Sequence, residues 1–440
     1  MPDIASAATG SAPHESPEHG TVPGPAAGAG PTSADATLIR MAHVESLLPL
    51  DGVTVVTLEQ AVAAPLASRH LADLGARVIK VERPDGGDFA RAYDEAVHGT
   101  GAHFVWLNRG KESLAVDLKS AEGRDIVQTL IASADVFLQN LAPGAAARLC
   151  LGSDELRAAH PGLVTVDLSG YGTGGPFEQR KAYDMLIQAE SGLISITGTP
   201  DDAVKTGIPT ADIASGMYCA QAVLAALLRR YRTGEGAAIE VSMLESTVEW
   251  MGHSLYTQMY TGQQPPRMGV SHVSIAPYDS YPTRDGQILI GVQSDGGWRA
   301  LTTVLGVPEL TDDPRFATNM SRVENRAACD AAVADRTRLW TTAELDAKLA
   351  DAGIPAAQIK QLGDVADHPQ LAARDRWRTV GTPFAQVKAL LPPATFGDVE
   401  ASMGDVPALG AQTAALLAEA GYAPADVDRL ADAGVVRLGG

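Results

Sequence analysis

The 440-residue sequence has a formal net charge of −19, with 45% hydrophobic and 20% charged residues. This composition is typical of a globular protein of two or three domains. The acidic balance disfavours a nucleic-acid binder, which needs a basic face, and also docking on anionic lipid. No apolar run approaches the ~20 residues of a membrane span, and the start of the chain lacks the pattern of a secretory signal. We therefore expect a cytoplasmic protein without nucleic-acid or membrane partners.

The first 46 residues are mostly Ala, Gly, Pro and Ser. Such a segment cannot bury enough surface to offset its chain entropy, so a disordered tail is predicted over 1–46. The three cysteines lie far apart without a CxxC pair, and the histidines show neither HxH nor HxxxH spacing. No metal site is expected.

From Leu50 onward, short apolar runs alternate with helical stretches. The runs typical of β-strands are 53–58, 76–82, 114–118, 135–140 and 163–172. Helices are predicted over 65–74, 121–133 and 153–159. Strands that alternate with helices predict parallel βαβ units around a buried sheet, an α/β fold.

The pattern changes at residue 211, where a long helix is predicted over 211–234 with a second helix to about residue 260. The apolar stripe of the first helix is predicted to consist of Met217, Ala220, Leu224, Leu227 and Tyr231. A further strand is predicted over 287–292. We expect a large α/β domain over 47–236, a smaller α+β domain over 237–332, and a C-terminal segment over 333–440 that returns to the large domain.

The sequence Gly-Tyr-Gly-Thr-Gly-Gly at 170–175 follows a predicted strand, as a dinucleotide fingerprint does. A fingerprint must also open a helix, whose N-terminus holds the pyrophosphate. Pro176 follows at once, and the first βα turn (59–65) has no glycine. A nicotinamide cofactor is therefore disfavoured, and a substrate-facing loop or a plain turn is favoured.

Basic residues gather at strand ends of this acidic chain, where ligands of parallel sheets bind. Either they pair with the chain's own carboxylates or they hold an anion, and the residues alone favour neither. The residues concerned are Lys80, Arg83, Arg109, Lys111, Arg148 and Lys181.

Asp212 stands at the head of the long predicted helix. An aspartate there is most often an N-cap, which accepts backbone N–H groups. The alternative is a carboxylate nucleophile, which small neighbours would leave open to a bulky substrate. Asp184 and Glu245 are further candidate carboxylates.

Taken together, these blocks resemble the family III CoA-transferases, the CaiB–BaiF group. The resemblance lies in LPLDGVTVVTLEQAVAAPLASRHLADLGARVIKVERPDGGDFAR, LNRGKESLAVDLKSAEGRDI, ADVFLQNLAPGAAARLCLG, VTVDLSGYGTGGP, YDMLIQAESGLISITG and IPTADIASGMYCAQAVLAALLRRYRTGEG. QPPRMGVSHVSIAPYDSYPTRDGQILIGV and GIPAAQIKQLGDVADHPQL extend it, so the resemblance covers nearly the whole chain except the tail.

The resemblance implies a Rossmann-like domain that binds CoA without the dinucleotide fingerprint, completed by a smaller domain in an interlocked homodimer. It implies CoA and acyl-CoA as substrates, a small carboxylic acid as acceptor, and no permanently bound cofactor. Asp212 matches the family's aspartate nucleophile. The CoA contacts carried over by position are Arg83, Val116, Asn140, Leu141, Arg148, Lys181 and Tyr183.

The chain departs from parts of this family. Val62 replaces a glutamine of the formyl-CoA transferases, and 268–277 replaces their glycine-rich loop, which disfavours oxalate–formate exchange. Tyr183 stands where the related α-methylacyl-CoA racemases carry a histidine, and a tyrosine, with a pKa about 10, is a poor proton shuttle near neutral pH.

The acceptor and two rival functions stay open at this stage. Arg267, His272 and Arg284 are candidates to pair with the second carboxylate of succinate, mesaconate, malate or citramalate. A racemase-type isomerase and a non-catalytic CoA-binding relative remain as alternatives to the transferase.

Overall fold

The computed structural model describes residues 48–439, so the tail predicted over 1–46 lies outside the described residues. Within this range the chain forms the following twelve strands: β1 (Thr54–Leu58), β2 (Arg77–Glu82), β3 (Lys111–Val116), β4 (Val136–Gln139), β5 (Val164–Ser169), β6 (Ala238–Ser242), β7 (Tyr278–Pro282), β8 (Gln287–Gly291), β9 (Ala356–Gln358), β10 (Trp377–Gly381), β11 (Gln386–Leu390) and β12 (Val436–Arg437).

The α-helices of the described range connect these strands. They are α1 (Ala63–Asp73), α2 (Ala102–Leu107), α3 (Ala121–Ala132), α4 (Ala145–Arg148), α5 (Ser153–Ala159), α6 (Asp184–Glu190), α7 (Leu193–Ile196), α8 (Thr210–Thr233), α9 (Met243–Trp250), α10 (Gly252–Thr261), α11 (Asp295–Val304), α12 (Asn319–Glu324), α13 (Arg326–Thr337), α14 (Thr342–Asp351), α15 (Leu362–Ala366), α16 (Pro369–Ala373), α17 (Thr413–Glu419) and α18 (Pro424–Asp432).

The largest sheet has seven strands in the order β12-β3-β2-β1-β4-β5-β6. β1 to β6 pair in parallel, and β12 is antiparallel to β3. The prediction of a parallel α/β sheet is confirmed. After β3 the chain returns to the other side of β1, so the strand order reverses between β1 and β4. In open α/β sheets, ligands bind outside the carboxyl ends of the strands at this switch point.

Helices cover both faces of this sheet. Neighbouring residues of one strand face opposite ways, so Val55 joins the core beneath α1 and α8, and Val56 joins the core beneath α3, α17 and α18. A strand buried on both faces must be apolar throughout, which is why short runs of Val, Ile and Leu mark these strands in the sequence.

The predicted apolar stripe of α8 is confirmed for Ala220 and Leu227, which pack in the core, and is wrong for Met217, Leu224 and Tyr231, which are exposed. Met217 is 47% and Tyr231 89% exposed, whereas the buried face carries the small residues Ala211, Ser215 and Cys219. Small residues are selected because α8 packs directly along α1: a Cβ on Gly216 would lie 2.5 Å from the carbonyl oxygen of Ala63. Large side chains are left on the outer face of the helix.

By length and apolar composition, α8 is the one described helix that could cross a membrane. Its most apolar window is 44% buried inside the protein. A helix of the protein core passes the same test, and the packing of α8 along α1 and the large sheet accounts for its composition.

Sheet membership differs from the predicted domain boundaries. β6, which the sequence assigned to the small domain, is an edge strand of the large sheet, and β9 extends the small antiparallel sheet β7-β8-β9. The core of that small sheet reaches Ile354. The chain returns to the large sheet only near its end, where α17, α18 and β12 pack. These boundaries depend on which strands pair across long stretches of sequence, and local sequence patterns do not reveal that pairing.

Candidate active site

A cleft of about 860 Å³ opens at the carboxyl ends of the parallel strands, at the switch point. It is lined by the loops after β1 (60–63), β4 (140–145) and β5 (168–170), by 180–185 and by 205–209. Asp212, in the first turn of α8, lies in its wall. A large concave pocket at this position of the fold is where a substrate is expected.

Asp212 does not cap α8, so the N-cap interpretation is wrong. The helix begins at Thr210, and its N-cap position, Pro209, offers no side-chain hydrogen bond. Asp184 performs the capping from outside the helix: its Oδ1 accepts the N–H of Ala211 at 2.8 Å and of Asp212 at 3.3 Å. Within residues 48–439 the carboxylate of Asp212 accepts no hydrogen bond and is therefore free to react.

The electrostatic surroundings of Asp212 suit a reactive carboxylate. Burial raises the pKa of Asp212 to about 7, and the negative charge of Asp184 adds to the effect. A carboxylate that is poorly solvated and unpaired exposes its electron pairs to an electrophile. Strongly shifted pKa values in a cleft are typical of functional groups.

Sequence reasoning missed an aromatic wall beside Asp212. Phe89, Tyr93 and His103 line the cleft, with the Tyr93 ring 5.5 Å from Phe89 and edge-on to His103 at 5.7 Å. Burial raises the pKa of Tyr93 to about 12, with the charges of Asp88 and Asp212 contributing. These residues follow β2, so the rule that ligands bind at carboxyl strand ends could have singled out their loop.

A second pocket of about 430 Å³ adjoins the cleft, since Gln60 and Leu141 line both. It lies at the carboxyl ends of β1, β2 and β3. Arg83 and Lys119 supply its positive charge, and the buried Val116 forms part of its apolar wall. An apolar wall beside two cations suits the base and phosphates of a nucleotide.

The basic residues noted in the sequence fall into two groups. Lys80 and Lys111 are fully buried and bind Glu59, at 3.3 Å and 2.6 Å, and Lys80 also binds Asp88 at 2.9 Å. Burial acts to raise the pKa of Glu59, but the two ammonium groups hold it below its usual value. Arg109 is likewise buried against a carboxylate. The exposed group consists of Arg83, Arg148 and Lys181.

The sequence also matches a known protein family. The sequence profile described as "CoA-transferase family III" matches residues 50–413. The chain belongs to CoA-transferase family III. The resemblance seen in the sequence is thereby confirmed, and the protein is a CoA-transferase.

Family III relatives cover most of the chain. It is 35% identical to the succinate–glutarate CoA-transferase of Agrobacterium fabrum over 74% of this chain and 84% of that protein. It is 36% identical to the acetyl-CoA:oxalate CoA-transferase of Acetobacter aceti over 74% and 85%. The crystal structure of a CAIB/BAIF family protein from Brucella suis superposes with a TM-score of 0.77 at 37% identity, covering 85% of this chain and 100% of that one.

Six of the seven CoA contacts carried over from family III line the cleft, the second pocket or both. Lys181 and Tyr183 line the cleft with Asp212, and Arg83 and Val116 line the second pocket. Leu141 lines both pockets, and Asn140, next to it, lines the cleft. Arg148 lines neither pocket and lies exposed beside Gly144.

Asn140 also has a structural task. Its Oδ1 accepts the N–H of Gln60 at 2.9 Å, and its Nδ2 donates to the carbonyl of Gln60 at 3.0 Å. This double hydrogen bond joins the loops after β1 and β4, the two strands of the switch point. The side chain thereby fixes the junction between the cleft and the second pocket.

The three acceptor candidates named from the sequence do not line this cleft. Arg267 donates to backbone carbonyls at exposed positions, Arg284 lies 3.4 Å from Glu344, and His272 stacks on Tyr278 at 5.3 Å. The imidazole of His103 lies in its wall, and the cationic side chains that line it are Arg180, Lys181 and Lys205. These three cations lie in the cleft because the segment 180–209 folds over the strand ends, whereas the three predicted candidates lie in later parts of the chain.

Proposed function

We propose that the protein moves CoA from an acyl-CoA thioester to a small carboxylic acid through a covalent intermediate on Asp212. The observation that carries the proposal is the carboxylate of Asp212 in the wall of the switch-point cleft, which accepts no hydrogen bond within residues 48–439 and does not cap α8. The neighbouring pocket beside Arg83 is suited to the nucleotide end of CoA.

In the first half of the reaction, an Asp212 oxygen attacks the thioester carbonyl carbon of the donor. The C–S bond breaks and CoA leaves as a thiolate, giving a mixed anhydride between the acyl group and Asp212. The thiolate then attacks the aspartyl carbonyl, the donor acid leaves as a carboxylate, and an aspartyl-CoA thioester remains.

The second half reverses these steps with a different acid. The acceptor carboxylate attacks the aspartyl-CoA carbonyl and releases the thiolate, which attacks the acyl carbon of the new anhydride and frees Asp212. Every leaving group is a thiolate or a carboxylate, so no proton has to be transferred. A paired general base next to Asp212 is therefore not required.

The acyl-CoA is proposed to lie across both pockets, with its nucleotide beside Arg83 and Lys119 and its thioester at Asp212. Gln60 and Leu141, which line both pockets, mark the passage of the pantetheine arm. Relatives are named for succinate, glutarate and oxalate, and short acids of this class are the acceptors proposed here.

A homodimer, interlocked as in the family, is proposed from the resemblance and supported by large apolar side chains that are exposed on three consecutive helices. The outward side of α8, α9 and α10 exposes the large side chains Met217, Leu224, Leu228, Tyr231, Trp250, Leu255, Tyr256, Met259 and Tyr260. Isolated exposed apolar residues are normal, but many large apolar side chains exposed on consecutive helices are typical of an interface. Light scattering of the intact protein should give twice the chain mass. A cytoplasmic location stays a prediction.

Two observations argue against the rival functions. A non-catalytic relative would retain Asp212 only as a helix cap, a role that Asp184 fills instead. A racemase needs an imidazole facing Asp212, and the histidine of the cleft, His103, packs edge-on against Tyr93. Incubation in deuterium oxide separates this case, because a racemase would exchange the α-proton of its acyl-CoA.

The test of the transferase proposal is CoA exchange between succinyl-CoA and labelled glutarate by wild-type and Asp212→Asn protein. Loss of exchange in the variant, with circular dichroism and CoA binding retained, supports the nucleophile. Equal exchange by the two proteins would exclude Asp212 from that role.

A further inference from the structure

The transfer reaction leaves one charge unaccounted for when the acid has two carboxylates. One carboxylate reacts at Asp212, and the other stays ionised in a cleft that already holds the carboxylates of Asp212 and Asp184. Like charges at close range in a partly desolvated site repel strongly. A dicarboxylate therefore requires a cation within the cleft that no internal carboxylate has already neutralised.

The cleft contains few cations that could meet this requirement. The guanidinium of Arg180 lies 3.5 Å from Glu190 and 4.2 Å from the ring of Phe177, so its charge is already engaged. Lys181 and Lys205 form no ion pair with any residue in 48–439. Lys181 occupies the position assigned to CoA, which leaves Lys205 for the acid.

The backbone next to Lys205, whose side chain is exposed, is tied to the nucleophile by hydrogen bonds. It lies at the start of the segment 205–209 that leads into α8. Gln188, fully buried, anchors this segment: its Oε1 accepts the N–H and the hydroxyl of Thr206, each at 3.0 Å, and its Nε2 donates to Asp184 at 2.7 Å.

The same Asp184 carboxylate accepts the backbone N–H of Asp212. One hydrogen-bonded network therefore fixes both ends of the segment that joins Lys205 to the nucleophile. Within residues 48–439 the ammonium group donates one hydrogen bond, to the carbonyl of Thr206 at 3.0 Å, so it retains donors for a ligand.

We propose that Lys205 binds the non-reacting carboxylate of a short dicarboxylic acid, so that the enzyme selects dicarboxylates over monocarboxylates of the same length. This rests on the proposed function, because it takes Asp212 as the point of attack. Donor acid and acceptor acid occupy the same place in the two halves of the reaction, so Lys205 serves both. It is a specificity residue that touches substrate and leaves the covalent chemistry to Asp212.

The test uses the first half-reaction, with glutaryl-CoA and valeryl-CoA as donors that differ in the distal carboxylate. Single-turnover release of the labelled acid is measured for wild type, Lys205→Met and Lys205→Arg. We expect Lys205→Met to lower kcat/KM for glutaryl-CoA by about 10- to 100-fold, as for loss of a hydrogen bond to a charged group, and to spare valeryl-CoA. Lys205→Arg should restore most of the loss.

Two control variants distinguish a specific role of Lys205 from a general effect of removing a lysine and from impaired CoA binding. Lys360→Met, which removes an exposed lysine outside the cleft, should leave kcat/KM unchanged for both donors. Lys181→Met should lower kcat/KM for both donors by the same factor. Equal rates for wild type and Lys205→Met with glutaryl-CoA, or equal losses for both donors, would overturn the role of Lys205. Acid release by Asp212→Asn would instead overturn the proposed function.

Discussion

The raised pKa of Asp212 predicts a pH-dependent nucleophile. An aspartate with its ordinary pKa is fully ionised above pH 5, and a rate that depends on it would be flat from pH 6 to 9. With a pKa of about 7, roughly one tenth of the free enzyme carries the reactive carboxylate at pH 6 and roughly nine tenths at pH 8. The first half-reaction should therefore be about 10-fold slower at pH 6 than at pH 8.

The assay is single-turnover release of labelled acid from acyl-CoA, measured as kcat/KM so that the free enzyme is reported. Asp184→Asn retains an oxygen that can accept the backbone N–H groups of α8 but removes a negative charge. It should move the acid limb of the profile to lower pH. This shift should be smaller than the rise in the pKa of Asp212 that burial causes, because burial is the larger of the two effects. Asp428→Asn, an exposed carboxylate on α18, should leave the profile unchanged.

A rate that is constant between pH 6 and pH 8 would refute this reasoning. It would mean that Asp212 is ionised throughout, as a solvated or paired carboxylate is. If the acid limb has the same midpoint in Asp184→Asn as in wild type, burial alone raises the pKa of Asp212.

Three further predictions concern the groups around the site. Because the pKa of Asp212 is higher in the folded than in the unfolded chain, its ionisation costs stability as the pH rises from 4 to 7, by up to about 4 kcal/mol. Asp212→Asn should therefore melt at a higher temperature than wild type at pH 8, and this advantage should shrink towards pH 4; a lower melting temperature at pH 8 would contradict it. Arg83→Ala should raise the KM for acyl-CoA about 10-fold with little change in kcat, as for a lost charged hydrogen bond, whereas exposed Arg299→Ala should not; equal effects would contradict the nucleotide pocket. Glu59→Gln leaves two buried ammonium groups short of a charge and should lower the free energy of unfolding by about 3 kcal/mol in urea; a loss below about 1 kcal/mol would contradict the buried network.

Much of the fold could be predicted because the signals are local. Strands buried on both faces need short runs such as Val-Thr-Val-Val and Arg-Val-Ile-Lys-Val, and these mark β1 and β2 in the sequence. The alternation with helices then implies parallel βαβ units. The proposed role of Asp212 as nucleophile came from the family resemblance.

The rest depends on contacts between distant parts of the chain. The cap of α8 comes from Asp184, 28 residues before Asp212, and no local pattern announces it. The exposed residues Met217, Leu224 and Tyr231 of α8 resemble a core stripe by periodicity, because helical spacing of apolar residues does not by itself tell which side of a helix is buried. Lys205 and Arg267 are both cations in polar, loop-like sequence, and only the folding of 180–209 over the strand ends brings Lys205 into the cleft.

The most direct test of the central claim is to locate the covalent intermediate. The enzyme is incubated with succinyl-CoA, trapped with hydroxylamine, digested with trypsin and analysed by peptide mass spectrometry. The account predicts a hydroxamate on Asp212, within the peptide 206–229, and an unmodified Asp184 in the same digest. A hydroxamate on Asp184, or an unmodified 206–229 peptide from enzyme that is exchanging CoA, would contradict it.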